Sequence, residues 1–386
     1  MLKRKIPLAW LQLSRNKSRM LVAVAGIAFA DVLMFLQLGI RDALFDSAVQ
    51  FHNSLQADIV LVSSRYKSIF SQQHFSQRRL YQARGFTGVK SVSPIYVDPI
   101  PWRNPDNNET WNIYAIAFNP EEQVVNLPGV QENQAKLREP DTVLFDSGSR
   151  KEFGNIATEF KNKNTVTTEI NNRKIDVVGL FQLGTSFGVN GNIITSDVNF
   201  LRLNSQRRRE GLIDLGLVRI EPGENIDFVI ANLRANLPED VIVLSKQEYA
   251  AKEKSYWNQS TPVGFTFTMG VVIGFVVGTV IVYQILYSDV SDHLPEYATL
   301  KAIGFKNTYL LKIVFQEALI LAAIGFVPGI SIAQGLYLVA QRATLLPIMM
   351  TVDRAIFLFV LTTLMCSISA FIAMQKLNSA DPADIF

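Results

Sequence analysis

The chain has 386 residues, 48% of them hydrophobic and only 18% charged, with 37 Lys and Arg against 34 Asp and Glu. Soluble domains carry roughly 25% charged residues, and here the deficit falls in four apolar blocks, Leu21–Ile40, Val263–Tyr287, Ile313–Ala340 and Ala355–Met374. As helices these blocks are long enough to cross a hydrocarbon core of roughly 30 Å, which excludes a soluble enzyme. Between Ala43 and Ser260, by contrast, 24 basic residues balance 25 acidic ones, so this stretch reads as one or two folded aqueous domains.

Residues 1–20 hold Lys3, Arg4, Lys5, Arg15, Lys17 and Arg19 and no acid. By the positive-inside rule this end stays in the cytoplasm. Four spans at 21–40, 263–287, 313–340 and 355–374 then place 41–260 outside, 288–312 inside, 341–354 outside and 375–386 inside. The alternative is a signal peptide over Leu21–Ala30 with Ala28-Phe29-Ala30 as the cleavage site. It is disfavoured because the apolar block runs on past Asp31 to Ile40. Asp31 is costly in lipid, so it has to face a protein neighbour or water.

The external segment begins with a helical pattern, since Ile40, Leu44, Ala48 and Phe51 share one stripe. It ends with another over Ser245–Trp257, where Ser245 and Glu248 have capping-box spacing. Two helical stalks are therefore expected. Strand-like runs recur between them at 58–62, 93–97, 111–118, 142–146, 174–181, 192–196, 215–220 and 240–245. Helical patterns at Ile69–Arg84 and Ile226–Leu237 interrupt the strands without regular β-α alternation. This predicts an α+β module, with two lobes as one arrangement. Segments 103–110 and 127–141 read as turns or loops.

Little in this module points to chemistry. The glycines of 181–196 lack dinucleotide-binding spacing and read as a turn or hairpin loop. "QRRRE" (206–210) reads as a solvated charge run. His52, His74 and His293 lie far apart, and the single cysteine, Cys366, sits in the fourth block, so no metal-ligand spacing or external disulfide is expected. No P-loop, G-x-S-x-G or H-E-x-x-H motif occurs, and no catalytic, cofactor or metal residue is assigned.

In the second block Gly270, Gly274 and Gly278 follow G-x-x-x-G-x-x-x-G spacing, which lets another helix approach closely. Intrachain packing and a homodimer contact are both open. Gly325 and Gly329 flank Pro328 in the third block, where a kink is expected. Glu317, near the inner end of that block, is expected to be hydrated or to pair with Lys312.

The segment 287–321, "YSDVSDHLPEYATLKAIGFKNTYLLKIVFQEALIL", places Pro295 at a helix start and Gly304 at its end. This predicts a short helix along the inner membrane face. Here the sequence resembles the permease family of ABC exporters that includes MacB, LolC and FtsX. The signature is an acidic residue followed by "xLKAxG", matched by Glu296, Leu300, Lys301, Ala302 and Gly304, with a "DPxxxL"-like tail matched by "ADPADIF" (380–386). The wording of 287–305, together with "GTSFGVNGN" (184–192), is most similar to the DevC-type permeases of cyanobacteria. The arginines that many relatives carry before the acidic residue are replaced here by His293, Leu294 and Pro295.

The resemblance implies a multi-pass α-helical protein of the bacterial inner membrane, with both termini cytoplasmic and a large α+β periplasmic domain between helices 1 and 2. It implies a non-catalytic homodimeric subunit of a mechanotransmission pump. A separate DevA-like ABC ATPase would dock on the coupling residues Glu296, Leu300, Lys301, Ala302 and Gly304. A DevB-like periplasmic adaptor (membrane fusion protein) and a TolC-like outer-membrane protein would complete the path, with a glycolipid or other lipid substrate from the envelope. The missing arginines imply a less electrostatic ATPase contact. Two alternatives are an FtsX-like regulator of a cell-wall hydrolase, for which the external segment is long, and a lipoprotein-release permease.

Overall fold

Four long helices carry the apolar blocks, and a sheet-rich module lies between the first and second of them. The computed structural model describes residues 8–71, 73–204 and 208–379. The helices in chain order are α1 (Leu8–Arg15), α2 (Lys17–Ala48), α3 (Gln50–Ser54), α4 (Gln77–Arg84), α5 (Val130–Asn133), α6 (Ile156–Lys163), α7 (Asp197–Leu203), α8 (Ile226–Asn236), α9 (Lys246–Gln259), α10 (Pro262–Asp292), α11 (Leu294–Ala302), α12 (Asn307–Thr344) and α13 (Val352–Ser379). The strands are β1 (Ile59–Ser63), β2 (Phe75–Ser76), β3 (Val89–Arg103), β4 (Thr110–Phe118), β5 (Thr142–Asp146), β6 (Val166–Ile170), β7 (Arg173–Phe181), β8 (Asn192–Ser196), β9 (Leu212–Ile213), β10 (Leu215–Ile220) and β11 (Val241–Ser245). The chain divides into a membrane unit (Met1–Ala43, Pro262–Thr344, Ile348–Phe386) and an aqueous unit (Leu44–Thr261, Leu345–Pro347).

In the membrane unit α2, α10, α12 and α13 are each long and apolar enough to cross a bilayer. Asn16 caps α2, its Oδ1 accepting from the Arg19 N–H at 3.4 Å. The interior is built from small and medium residues, among them Ala23, Ile27, Ala30, Val282, Ala318, Ala322, Met365 and Ala370. Many large apolar side chains point outward: Phe265, Ile273, Val327, Val339, Ile356, Val360 and Phe371 are all exposed. Water would penalise such a belt, whereas lipid accepts it. The protein is a multi-pass α-helical membrane protein with a large α+β domain. The helix α12 continues through Pro328 without a break in its assignment.

The aqueous unit has two lobes that share one long strand. In the first, the order β11-β1-β10-β3 is antiparallel throughout. With α4 after β1 and α8 after β10, this is the β-α-β-β-α-β arrangement of ferredoxin-like folds, opened between its second and third strands by an insertion. The insertion forms the second lobe. There β3, β4, β8, β5, β7 and β6 pair in turn, and β6 returns to β3 at Trp102↔Ile170. This closes a ring, across which Trp102 of β3 meets Phe145 of β5 at 5.4 Å between ring centroids. Closure leaves few unpaired edges.

Strand β3 serves both lobes because its pairing changes midway. Val89–Ile95 pair with β10 and Tyr96–Arg103 with β4. The Val97 N–H points to the β10 side, where it meets the Asp214 carboxylate at 2.8 Å because β10 has already ended. Pro99 shares that parity and lies between the last pair with β10 and the first pair with β6, so it occupies a position with no strand to donate to. Two sequence expectations change here, and β6 is additional to the expected strands. The helical pattern over Ile69–Arg84 is helix only from Gln77, after β2. Segment 127–141 is wound into α5 and a 3-10 turn at Gln134–Arg138. Strand β6 carries an alternating burial pattern that its β-branched run "VTTEI" announces.

Candidate coupling surface and the buried polar groups

The segment between α10 and α12 is built around α11. His293 precedes it and Pro295 lies in its first turn, where a missing N–H costs nothing. The helix ends at Gly304, whose φ of 102° only glycine adopts readily. There the Gly304 N–H donates to the Lys301 carbonyl at 2.9 Å and the Phe305 N–H to the Leu300 carbonyl at 3.0 Å. This pair is a Schellman cap. A Cβ at Gly304 would meet nothing within 4 Å, so the requirement is backbone conformation and not space.

One face of α11 is anchored. Tyr297 and Ala298 are buried, and Leu294 and Leu300 pack against the bundle core. Burial, reinforced by the carboxylates of Glu317 and Asp289, pushes the Tyr297 hydroxyl well above its usual pKa. Gln12 of α1 donates to that hydroxyl at 3.5 Å. Two ion pairs lie nearby, Arg15 of α1 with Glu296 of α11 at 3.5 Å and Arg19 of α2 with Asp292 at the end of α10 at 2.6 Å. Both are exposed enough to be worth only about 0–1 kcal/mol each.

The other face is open. Residues 302–309 are all exposed, including Ile303 at 70%, Phe305 and Tyr309, and the last two rings lie 4.7 Å apart. Lys301, Lys306 and Lys312 flank them. Of the coupling residues expected from sequence, Ala302 and Gly304 belong to this exposed end, Lys301 is half-buried, Leu300 faces inward and Glu296 pairs with Arg15. Sequence reading missed Ile303, Phe305 and Tyr309. Their signal was three large apolar residues in a linker between spans, where water should favour polar ones.

The glycine stripe lies against α2. A Cβ at Gly270 would run into Gln37, one at Gly274 would sit 3.0 Å from Met34 Cγ, and one at Gly278 would strike Met365 and lie 2.7 Å from Ala30 Cβ. Gly325 and Gly329 of α12 approach the same helix, with built Cβ positions 2.7 Å from Ile27 Cβ and 2.8 Å from Asp31 Cβ. In this structure all five glycines serve packing within the chain. Asp31 is fully buried and accepts from the Thr362 hydroxyl at 2.5 Å. Glu317 departs from expectation. It is fully buried, and among the described residues neither carboxylate oxygen has a hydrogen-bond partner, Lys312 included.

Two further clusters were not anticipated. Arg354, in the first turn of α13, donates to Asp42 at 2.8 Å and to the Met349 carbonyl at 2.7 Å, and lies over the Tyr337 ring. Tyr337 in turn donates to the Phe35 carbonyl. In the aqueous unit, the charge run 206–210 is only partly solvated. Residues 206 and 207 lie outside the described residues, and Arg209 and Glu210 are exposed. Arg208, however, is buried, pairing with Asp214, donating to the Val97 carbonyl at 2.9 Å and lying 3.5 Å from Asp98. A guanidinium that joins β3 to β10 in this way is a fold organiser. The tail "ADPADIF" (380–386) and Lys3, Arg4 and Lys5 lie outside the described residues.

Residues 266–382 match the family model described as FtsX-like permease C-terminal. The stretch runs from the second residue turn of α10 through α11, α12 and α13. Among solved structures, similarity extends to the periplasmic region of MacB from Actinobacillus actinomycetemcomitans, at 12% identity and a TM-score of 0.34, covering 50% of this chain and 91% of that one. It extends to the extracellular domain of the noncanonic ABC-type transporter YknZ from Gram-positive bacteria, at 13% identity and a TM-score of 0.33, covering 49% and 98%. It extends also to a domain of a putative permease protein from Porphyromonas gingivalis, at 12% identity and a TM-score of 0.31, covering 50% and 90%. Over 266–382, therefore, the chain is similar to FtsX-like permeases.

Proposed function

We propose that this chain is the membrane subunit of an ABC exporter, embedded in a bacterial inner membrane and driven by an ATPase on a separate chain. The observation that carries the reading is the FtsX-like match over 266–382, which contains α11 and its exposed end. A short helix anchored on one face and capped by a left-handed glycine can move as a rigid lever. Its open face, with Ile303, Phe305, Tyr309 and flanking lysines, offers an apolar centre with a basic rim, the anatomy of a protein contact. In this reading the ATPase seats on that face from the cytoplasm, and Lys301 and Gly304 supply a charge and an end geometry.

The rest of the assembly follows from the same reading. Two copies form the membrane unit of the pump, the aqueous unit faces the periplasm, and it engages a DevB-like adaptor leading to a TolC-like duct. The cargo is a glycolipid or another lipid of the envelope. Because the glycine stripe is used within the chain, the dimer in this reading would form through other, lipid-facing surfaces of the bundle. Purification of the chain in mild detergent tests this. Co-purifying ATPase and adaptor support the exporter. A cell-wall hydrolase in place of the adaptor, or a lipoprotein carrier, points to another branch of the family, and absence of any ATPase contradicts the reading.

A further inference from the structure

Charge appears on one face of the first lobe where the strand pattern calls for apolar side chains. Val60 of β1 pairs with Leu217 of β10 and with Leu244 of β11, and all three residues belong to or pack against one core cluster. Two residues further along each strand, the same register sets Asp58 opposite both Arg219 and Lys246. The ladder continues that far, since the Asp58 N–H donates to the Val218 carbonyl at 3.1 Å and the Lys246 N–H to the Asp58 carbonyl at 3.0 Å. Side chains two apart share a face of a strand, so these three charges form the next row on the core side. At the spacing of neighbouring strands, about 4.8 Å, Arg219 and Lys246 flank Asp58 with about 10 Å between their backbones.

Both cations are half-buried and held in place by neutral oxygens. Arg219 donates through Nε to the Gln56 carbonyl at 2.7 Å and through Nη2 to Gln56 Oε1 at 3.0 Å and to the Gln123 carbonyl. Lys246 Nζ donates to the Leu55 carbonyl at 2.5 Å. Among the described residues no carboxylate pairs with either cation, and Asp58 Oδ2 is already engaged by the Ile220 N–H at 2.9 Å. Burial lowers the Lys246 pKa, and the charge of Asp58 offsets this only in part. The three charges line one polar cavity of about 330 Å³ with Gln56 and the exposed amides of Asn53 and Asn126. That volume falls within the range of small-molecule sites, about 300–1,000 Å³. Fixed cations with donors to spare favour a charged acceptor, and a guanidinium suits phosphate in particular. Amides and the free oxygen of Asp58 suit hydroxyl groups.

We propose that this cavity of the aqueous unit binds a phosphorylated polyol, its phosphate on Arg219 and Lys246 and its hydroxyls on Asn53, Asn126 and Asp58. Such a group can arrive as a free sugar or polyol phosphate or as the headgroup of a phospholipid. The inference goes beyond the transport reading and does not depend on it. The test is isothermal titration of the full chain in uncharged detergent at low ionic strength. The probes are glycerol 3-phosphate and short-chain phosphatidylglycerol below its micelle concentration, with glycerol as the uncharged control. Binding of glycerol 3-phosphate but not of glycerol is the expected result. Phosphatidylglycerol binding more tightly than glycerol 3-phosphate assigns the headgroup as the source, and weaker or equal binding assigns the free phosphate. In either case Lys246→Gln should weaken binding about tenfold or more, the worth of one charged hydrogen bond. Because Lys246 also holds the Leu55 carbonyl, Asn126→Asp is the second variant. That side chain is exposed, so the change should leave the thermal midpoint near wild type while its added charge weakens binding several-fold. Failure of both phosphate probes to bind overturns the proposal. So does glycerol binding as tightly as its phosphate, or wild-type affinity in both variants.

Discussion

The two units bury carboxylates on opposite terms. Asp146 and Glu253 of the aqueous unit and Asp31 and Glu317 of the membrane unit are all fully buried. Asp146 accepts four hydrogen bonds, from the Gly148, Leu183 and Gly184 N–H groups and the Asn192 side-chain amide, and Glu253 accepts from Tyr66, the Ile69 N–H and Trp257. Among the described residues Asp31 has one donor and Glu317 has none. A buried carboxylate costs several kcal/mol unless its lone pairs are satisfied. In the aqueous unit such groups therefore hold loops in place, while in the membrane unit they are unrewarded by the fold. The membrane unit relies instead on close helix approach at glycines.

The contrast breaks most visibly at Asp146. Asp146→Ala orphans four donors, two of them buried and two half-buried, and at about 1–3 kcal/mol per unsatisfied buried group the expected loss is about 3 kcal/mol or more. Limited proteolysis of the full chain in detergent should then cut within 182–192 first. Next comes Gly278→Leu, which forces a side chain into Met365 and Ala30, an overpacking cost of about 1–3 kcal/mol. Gly335→Leu meets nothing within 4 Å and should leave the thermal midpoint within error of wild type. Equal effects at the two glycines would remove the distinction between packed and lipid-facing positions.

Smaller effects sharpen the aqueous side. Ser245 and Glu248 form a complete capping box on α9, and Ser245→Ala should cost about 1 kcal/mol. The Glu248 carboxyl is held below its ordinary pKa, first by the Ser245 backbone N–H and then by Arg234. A depressed folded value means the contribution is present above the unfolded pKa of about 4.3 and lost as pH falls through the folded value. Glu248→Gln should flatten that acid limb of the denaturation profile. Smallest of all is Glu317→Gln. Since no partner is lost, the thermal midpoint should stay unchanged or rise, and a large fall would show that the carboxylate has a partner in the working assembly.

Much of this was legible in sequence, for identifiable reasons. Apolar blocks and strand runs such as 142–146, 192–196 and 215–220 are local patterns, and the structure places strands at those positions. Gly304 was readable because left-handed backbone needs glycine. What escaped depends on distant partners. Arg208 looks like a member of a solvated charge run until β10 brings Asp214 beside it, and Asp42 and Arg354 are 312 positions apart. Glu317 was misread because the depth of a side chain in a bundle follows from the packing of four helices and not from its distance to the end of a block. The exposed Ile303 and Phe305 were passed over because a short linker hides its apolar content among lysines.

The proposed function puts ATPase coupling at the exposed end of α11. Its most direct test is purification of the chain from native membranes, as wild type and as the double variant Ile303→Ser and Phe305→Ser, with quantification of the retained ATPase. Both side chains are exposed, so the variant should reach the membrane in normal amount. An ATPase should accompany the wild type and be lost from the variant. Equal retention by both would contradict it.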